Sequence, residues 1–138
     1  IDLFGPRVVS DYLFAKDRIF ANITLDEDEL RLYERIADVL DEKIPRPEVV
    51  VYLQASTEVL LRRIAWRGRA FERNMDPEYI QTLNEAYNYF FFHYTETPLL
   101  VVNTNDLDFV RNPRHYEDLR NNIVEPFTGT RYYAPSWS

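Results

Sequence analysis

Glu48-Val-Val-Val-Tyr-Leu-Gln-Ala-Ser-Thr-Glu-Val-Leu-Leu-Arg-Arg-Ile-Ala-Trp-Arg-Gly-Arg-Ala-Phe-Glu72 changes its hydrophobic period in mid-stretch. Glu48 to Leu53 is a near-continuous apolar run, the pattern of a strand covered on both faces. Ser56 or Thr57 can cap a helix start. Beyond it the spacing is helical: Leu60, Leu61 and Ile64 point toward a core, while Arg63 and Arg67, four residues apart, share another face. Gly68 reaches backbone angles other residues avoid, so it breaks the helix and lets Arg69 turn inward. A buried strand feeding a helix is the unit of an α/β fold. Fourteen of the sixteen cationic residues are arginines, and five of them fall between Arg62 and Arg73. Planar charged forks beside a glycine hinge suit a mobile clamp on phosphate oxygens. The plainer alternative is a solvated basic face.

Outward from this stretch, helices alternate with buried runs. Arg7-Val-Val-Ser10 and Leu99-Leu-Val-Val-Asn103 are the other strand candidates, so the expected sheet has three strands. Leu13 to Ile23 is expected as one helix. A second starts near Thr24 or Asp26, with Leu30, Tyr33, Ile36, Ala37 and Leu40 at helical spacing. Its acidic first turn, Asp26 to Glu29, favours the positive helix end. Asp76-Pro77 and Asn112-Pro113 each read as a cap followed by proline at the first helical position, opening helices to about Glu96 and Val124. Aromatic residues from Tyr87 to Tyr94 are expected in a core or a dimer interface rather than as a stacking platform. Residues 1–125 read as part of one domain and 126–138 as a tail, frayed or docked on another surface.

Composition narrows the classes of function. A net charge of −7 argues against binding nucleic-acid polymers, which takes a basic surface. Cysteine is absent, which removes disulfides and thiolate metal sites. The apolar runs are too short to span a bilayer as helices, and a cytoplasmic location is expected. His93 and His115 stand without ligand spacing, and no Ser/His/Asp arrangement supports hydrolase chemistry.

Arg63-x-x-x-Arg67-Gly68-Arg69-x-x-Glu72 resembles the lid of the deoxyribonucleoside kinases. Val8-Val-Ser-Asp-Tyr12 and Lys16-Asp-Arg-Ile-Phe-Ala21 are similar to that family's acidic strand end and Asp-Arg helix, and Val51-Tyr-Leu-Gln-Ala-Ser56 to the strand and turn before its lid. The resemblance covers about residues 7 to 109. It implies a P-loop-kinase-like α/β fold with a parallel sheet flanked by helices, here incomplete. No Gly-x-x-x-x-Gly-Lys-Ser/Thr occurs in the chain, so an upstream portion carrying the phosphate loop is expected. Ile1-Asp-Leu-Phe-Gly-Pro6 is read the same way, as the last turn of a helix.

The implied activity is transfer of the γ-phosphoryl of ATP, with Mg²⁺, to the 5′-hydroxyl of a deoxynucleoside, by a homodimer. This chain alone would be inactive. Asp11 would stand near the magnesium as catalytic and metal-binding residue, and Asp17 would bond the nucleobase, with Arg18 beside it. Arg63, Arg67 and Arg69 would close on the ATP phosphates and the 5′-oxygen. Glu72 would accept from the sugar 3′-hydroxyl. Asn103 to Phe109, with Asn105 and Asp106, resembles the loop against the adenine of ATP. The chain departs from the family where Asp11 is followed by Tyr12, since many members have Glu followed by Arg. Two alternatives stay open: a nucleoside monophosphate kinase with a similar lid, or a non-catalytic binding or dimerisation module if 138 residues are the whole polypeptide.

Overall fold

The computed structural model describes residues 8–68 and 76–135. The chain divides into two units, Ile1–Ile44 and Pro45–Ser138. In the first, α1 (Lys16–Thr24) and α2 (Glu27–Asp41) pack together. Ile19 and Ala21 of α1 and Ala37 of α2 are buried. Arg18 ties the helices, its guanidinium 2.8 Å from Asp38 Oδ1 and 3.7 Å from Glu34 Oε2. Asp26, one of the two expected starts, is the N-cap of α2 and forms a full capping box. Its carboxylate accepts from Glu29 N–H at 2.9 Å while Glu29 Oε1 accepts from Asp26 N–H at 3.2 Å. That backbone hydrogen bond also holds the Asp26 carboxyl below its ordinary pKa.

The second unit is a three-stranded parallel sheet with helices on both faces. Strands β1 (Val50–Gln54), β2 (Leu99–Asn103) and β3 (Thr130–Tyr133) lie in the order β1-β2-β3. Tyr52, Val101 and Tyr132 are in register and so share one face. On that face lies α4 (Pro77–Phe92), whose Phe91 ring stacks on Tyr52 at 4.3 Å between centroids. On the other face Leu100 and Val102 are wholly buried and, with Leu107, pack against Leu119 and Ile123 of α5 (Pro113–Val124), Phe127 and Tyr133. Each such aliphatic side chain contributes roughly 1.5–3 kcal/mol by leaving water.

Helix α3 (Thr57–Arg67) follows β1 and packs against α4. Its cap is Ser56, whose Oγ accepts from Val59 N–H at 3.3 Å. Asp76 and Asn112 cap α4 and α5 as expected, with Pro77 and Pro113 at the first helical positions. Helix α4 stops at Phe92, earlier than Glu96: the backbone leaves helical geometry at His93, where φ is −97° and ψ 1°, and the His93 N–H is shared among the last carbonyls of the helix. The aromatic stripe divides: Phe91 and Tyr94 are buried, whereas Tyr89 and Phe92 are exposed.

Two expectations are corrected. Residues 8–10 form no strand and are exposed, and Arg7 lies outside the described residues. The third strand comes instead from the tail, where Gly129 takes a φ of 70° and its carbonyl accepts from Leu99 N–H at 3.0 Å. The helix expected from Leu13 begins at Lys16, after a turn.

The interior of the α4 face makes a pH prediction. Burial pushes the Tyr52 phenol up to about 12 from 10.0, and the hydroxyl donates to Asn88 Oδ1 at 2.6 Å. The folded chain therefore keeps a proton that the unfolded chain releases near pH 10. Stability from this group is complete below pH 10 and is lost as pH rises toward 12. Denaturant unfolding at successive pH values should show that decline, and Tyr52→Phe should flatten it. An equal slope in the variant would remove Tyr52 as its source.

Candidate functional site

Ligands of open parallel sheets bind beyond the carboxyl ends of the strands. At that end of β1 the chain turns through Ala55 and Ser56 into α3, and at that end of β2 it enters the loop from Thr104 to Asn112. The two exits are bonded together. Thr104 is buried, and its N–H and Oγ1–H both donate to the Gln54 carbonyl, at 2.8 and 2.9 Å. Asn105 Oδ1 accepts from Ser56 N–H at 2.9 Å. Arg63, half-buried on α3, donates from Nη1 to Thr104 Oγ1 at 3.0 Å and from Nη2 to the Thr104 carbonyl.

The rest of the β2 loop is held by its own turn and by α5. Asp108 Oδ1 accepts from the N–H groups of Val110 and Arg111 at 3.0 and 2.9 Å. The Arg111 N–H bond, above all, lowers the Asp108 pKa, and the Val110 bond and the Arg111 charge add to it against the opposing desolvation. His115 is buried, and its Nδ1 accepts from Asp108 N–H at 3.2 Å. A histidine taken from sequence as lacking ligand spacing thus serves as an acceptor that fastens the loop.

The last turn of α3 carries Arg67, exposed, at the helix end where a cation is favoured. Gly68 follows with a φ of 67°, ending the helix as expected. Arg63 and Arg67 are one turn apart on the same helix, but Arg63 faces the β2 loop. Arg69 and Glu72 lie outside the described residues. Asp106 is exposed.

In the first unit Asp11 is exposed ahead of α1, and Asp17 is in the first turn of α1. Tyr12 donates its hydroxyl to Asp17 Oδ2 at 2.7 Å, and the adjoining carboxylate raises the phenol pKa. Tyr12, noted from sequence only as a departure, therefore partners the expected base-binding acid. Arg18, beside Asp17, is committed to Asp38 and Glu34.

Chemically, the second unit offers an arginine-bearing helix end and a polar loop at the carboxyl ends of parallel strands. The first offers two acids on and before one helix. No cluster of three or more His, Cys, Asp or Glu suited to a metal occurs among the described residues. Magnesium does not need one, because one or two carboxylates with phosphate oxygens hold it. Among the described residues no helix is long and apolar enough to cross a membrane.

The parallel sheet and its flanking helices define an α/β fold. The model of the deoxynucleoside kinase family matches residues 4–128. The chain belongs to the deoxynucleoside kinase family. It is 32% identical over 125 residues to deoxyguanosine kinase of Bacillus subtilis (strain 168), covering 88% of this chain and 60% of that protein. Against deoxyadenosine kinase of Lactobacillus acidophilus it is 28% identical over 131 residues, covering 85% and 61%. A solved structure of deoxyadenosine kinase from M. mycoides with bound dCTP superposes with a TM-score of 0.65 at 27% identity, over 78% of this chain and 59% of that one. The chain thus spans about 60% of the length of these two relatives.

Proposed function

We propose that this chain forms the lid-bearing part of an ATP-dependent deoxynucleoside kinase. The 5′-oxygen of a deoxyribonucleoside forms a bond to the γ-phosphorus of ATP as the bond to the β–γ bridging oxygen breaks, and ADP and the hydroxyl proton are released. What supports this reading is the end of α3, where Arg67 precedes a left-handed Gly68 while the same helix is bonded to the loop beyond β2. Arg67 and Arg69 bind the phosphates in the closed lid, and the β2 loop with Asn105 and Asp106 packs against the adenine. Asp17 bonds the nucleobase and Glu72 the 3′-hydroxyl. Asp11, exposed and carrying a hard oxygen donor, fits a magnesium ion shared with phosphate oxygens. Such an ion would offset the charge that develops on the transferred group. The phosphate-cradling loop comes from outside these 138 residues. The enzyme works as a homodimer in the cytoplasm, with Tyr89 and Phe92 of α4 available as contact surface.

The test is a phosphoryl-transfer assay on the polypeptide as its own gene encodes it. Deoxynucleosides and deoxynucleoside monophosphates are offered as acceptors. Transfer to the nucleosides is expected; transfer only to the monophosphates would assign a monophosphate kinase, and transfer to neither a non-catalytic module. In the active enzyme Asp11→Asn should lower kcat by roughly a hundredfold, with partial recovery at higher magnesium. An unchanged kcat would reduce Asp11 to a structural residue.

A further inference from the structure

The guanidinium of Arg63 is engaged where a phosphate clamp would need it open. Its Nη1 and Nη2 both end on Thr104, the first residue past β2, with one bond to the hydroxyl and one to the carbonyl. The hydroxyl is in turn fixed, because its own proton goes to the Gln54 carbonyl at 2.9 Å. Thr104 is 6% exposed, so water competes poorly for these bonds and they hold their geometry. Two turns back along α3, Ser56 N–H is bonded to Asn105 Oδ1. The helix is therefore tied to one loop near its start and again one turn before Arg67. A helix pinned at two points cannot pivot on its cap alone, and Arg67 moves with whatever moves Thr104.

We propose that Thr104 is a positioning residue and Arg63 its strut: together they couple the β2 loop to the lid helix and set where Arg67 presents its guanidinium. This rests on the kinase reading above, and it takes Arg63 off the phosphates, where the lid resemblance put it, to act through Arg67. Contact of a nucleotide with the loop beyond Thr104 then reaches the lid through two side-chain hydrogen bonds. Serine keeps the hydroxyl and valine keeps the shape, so the pair of variants separates the bond from the packing.

Two measurements test the coupling. Hydrogen exchange is followed across residues 60–67 in wild type, Thr104→Val and Thr104→Ser. Steady-state kinetics are run on the same three proteins, expressed as the gene-encoded polypeptide. Thr104→Val should speed exchange in that segment and lower kcat by about tenfold, the value of one charge-assisted hydrogen bond. KM for the nucleoside should stay within about twofold, since the acceptor site is untouched. Thr104→Ser should restore both readouts. Unchanged exchange in Thr104→Val would overturn the brace. Faster exchange with wild-type kcat, or a loss that serine does not restore, would overturn the positioning role. The exchange arm needs no phosphoryl transfer, so it decides the brace even where the kinase assay fails.

Discussion

Arg67→Ala is expected to lower kcat for phosphoryl transfer by about a thousandfold, the lower end of what a transition-state arginine contributes. Arg67 stands in the last turn of α3, directly before the left-handed Gly68, at the end of a helix that Thr104 holds through Arg63. Helix position there is set by side-chain hydrogen bonds, so the guanidinium swings from a fixed root. Arg67→Lys should recover only a small part of the loss, because an ammonium offers a point charge where a planar fork meets two oxygens. The effect belongs in kcat more than in KM, since the charge it meets develops in the transition state. Hydrogen exchange across residues 62–68 should also slow when a bisubstrate inhibitor binds, and should not slow in Arg67→Ala. A wild-type rate for Arg67→Lys would return this segment to a solvated helix face.

The elements that could be read from sequence are those in which a local signal and a tertiary role coincide. Ser56, Asp76 and Asn112 cap helices because a short side-chain oxygen reaches the first free N–H groups, and that geometry is local. Leu99 to Val102 reads as a strand because every residue in it is buried. The third strand has no such signal. Thr130 to Tyr133 alternates between exposed and half-buried over four residues, and it joins the sheet through backbone bonds to β2, a partner some thirty residues away. Conversely, Val8 and Val9 look like a buried strand by composition yet are 88% and 96% exposed. β-Propensity describes fit to a half-buried pleated surface, and here it does not create one.

The site divides along the same line. The Arg-x-x-x-Arg-Gly spacing shows that Arg63 and Arg67 share a helix and that the helix stops at Gly68. It does not show that Arg63 is spent on Thr104, since that bond spans 41 positions of sequence. Thr104 was legible only as a member of the Asn103 to Phe109 loop at a strand end, with nothing to single it out. Tyr12 could have been found: a phenol five residues before a first-turn aspartate in a helix is within reach of it, and the bond is 2.7 Å.

Leu100→Ala is expected to destabilise the second unit by about 3 kcal/mol, within the range for deleting a buried leucine side chain. Leu100 is wholly buried at the centre of β2, on the face covered by α5. The cluster it forms with Val102 and Leu107 draws on every layer: Val51 from β1, Tyr133 from β3, Leu119 and Ile123 from α5. Rigid strands on both sides leave little that can collapse into the space, so the cavity cost adds to the lost transfer free energy. Leu107 and Phe109 belong to the same cluster and lie in the β2 loop. Loosening at Leu100 should therefore extend to the segment that begins at Thr104, and amide exchange there should rise with the loss of stability. Denaturant unfolding measures the first effect, with an unchanged slope if the unfolded state is unaltered. Val101→Ala, one residue on and facing α4, should cost less, because a smaller side chain is removed from the face where Tyr132 is exposed. A loss below about 1 kcal/mol for Leu100→Ala would mean that the α5 face is not the principal core of this unit.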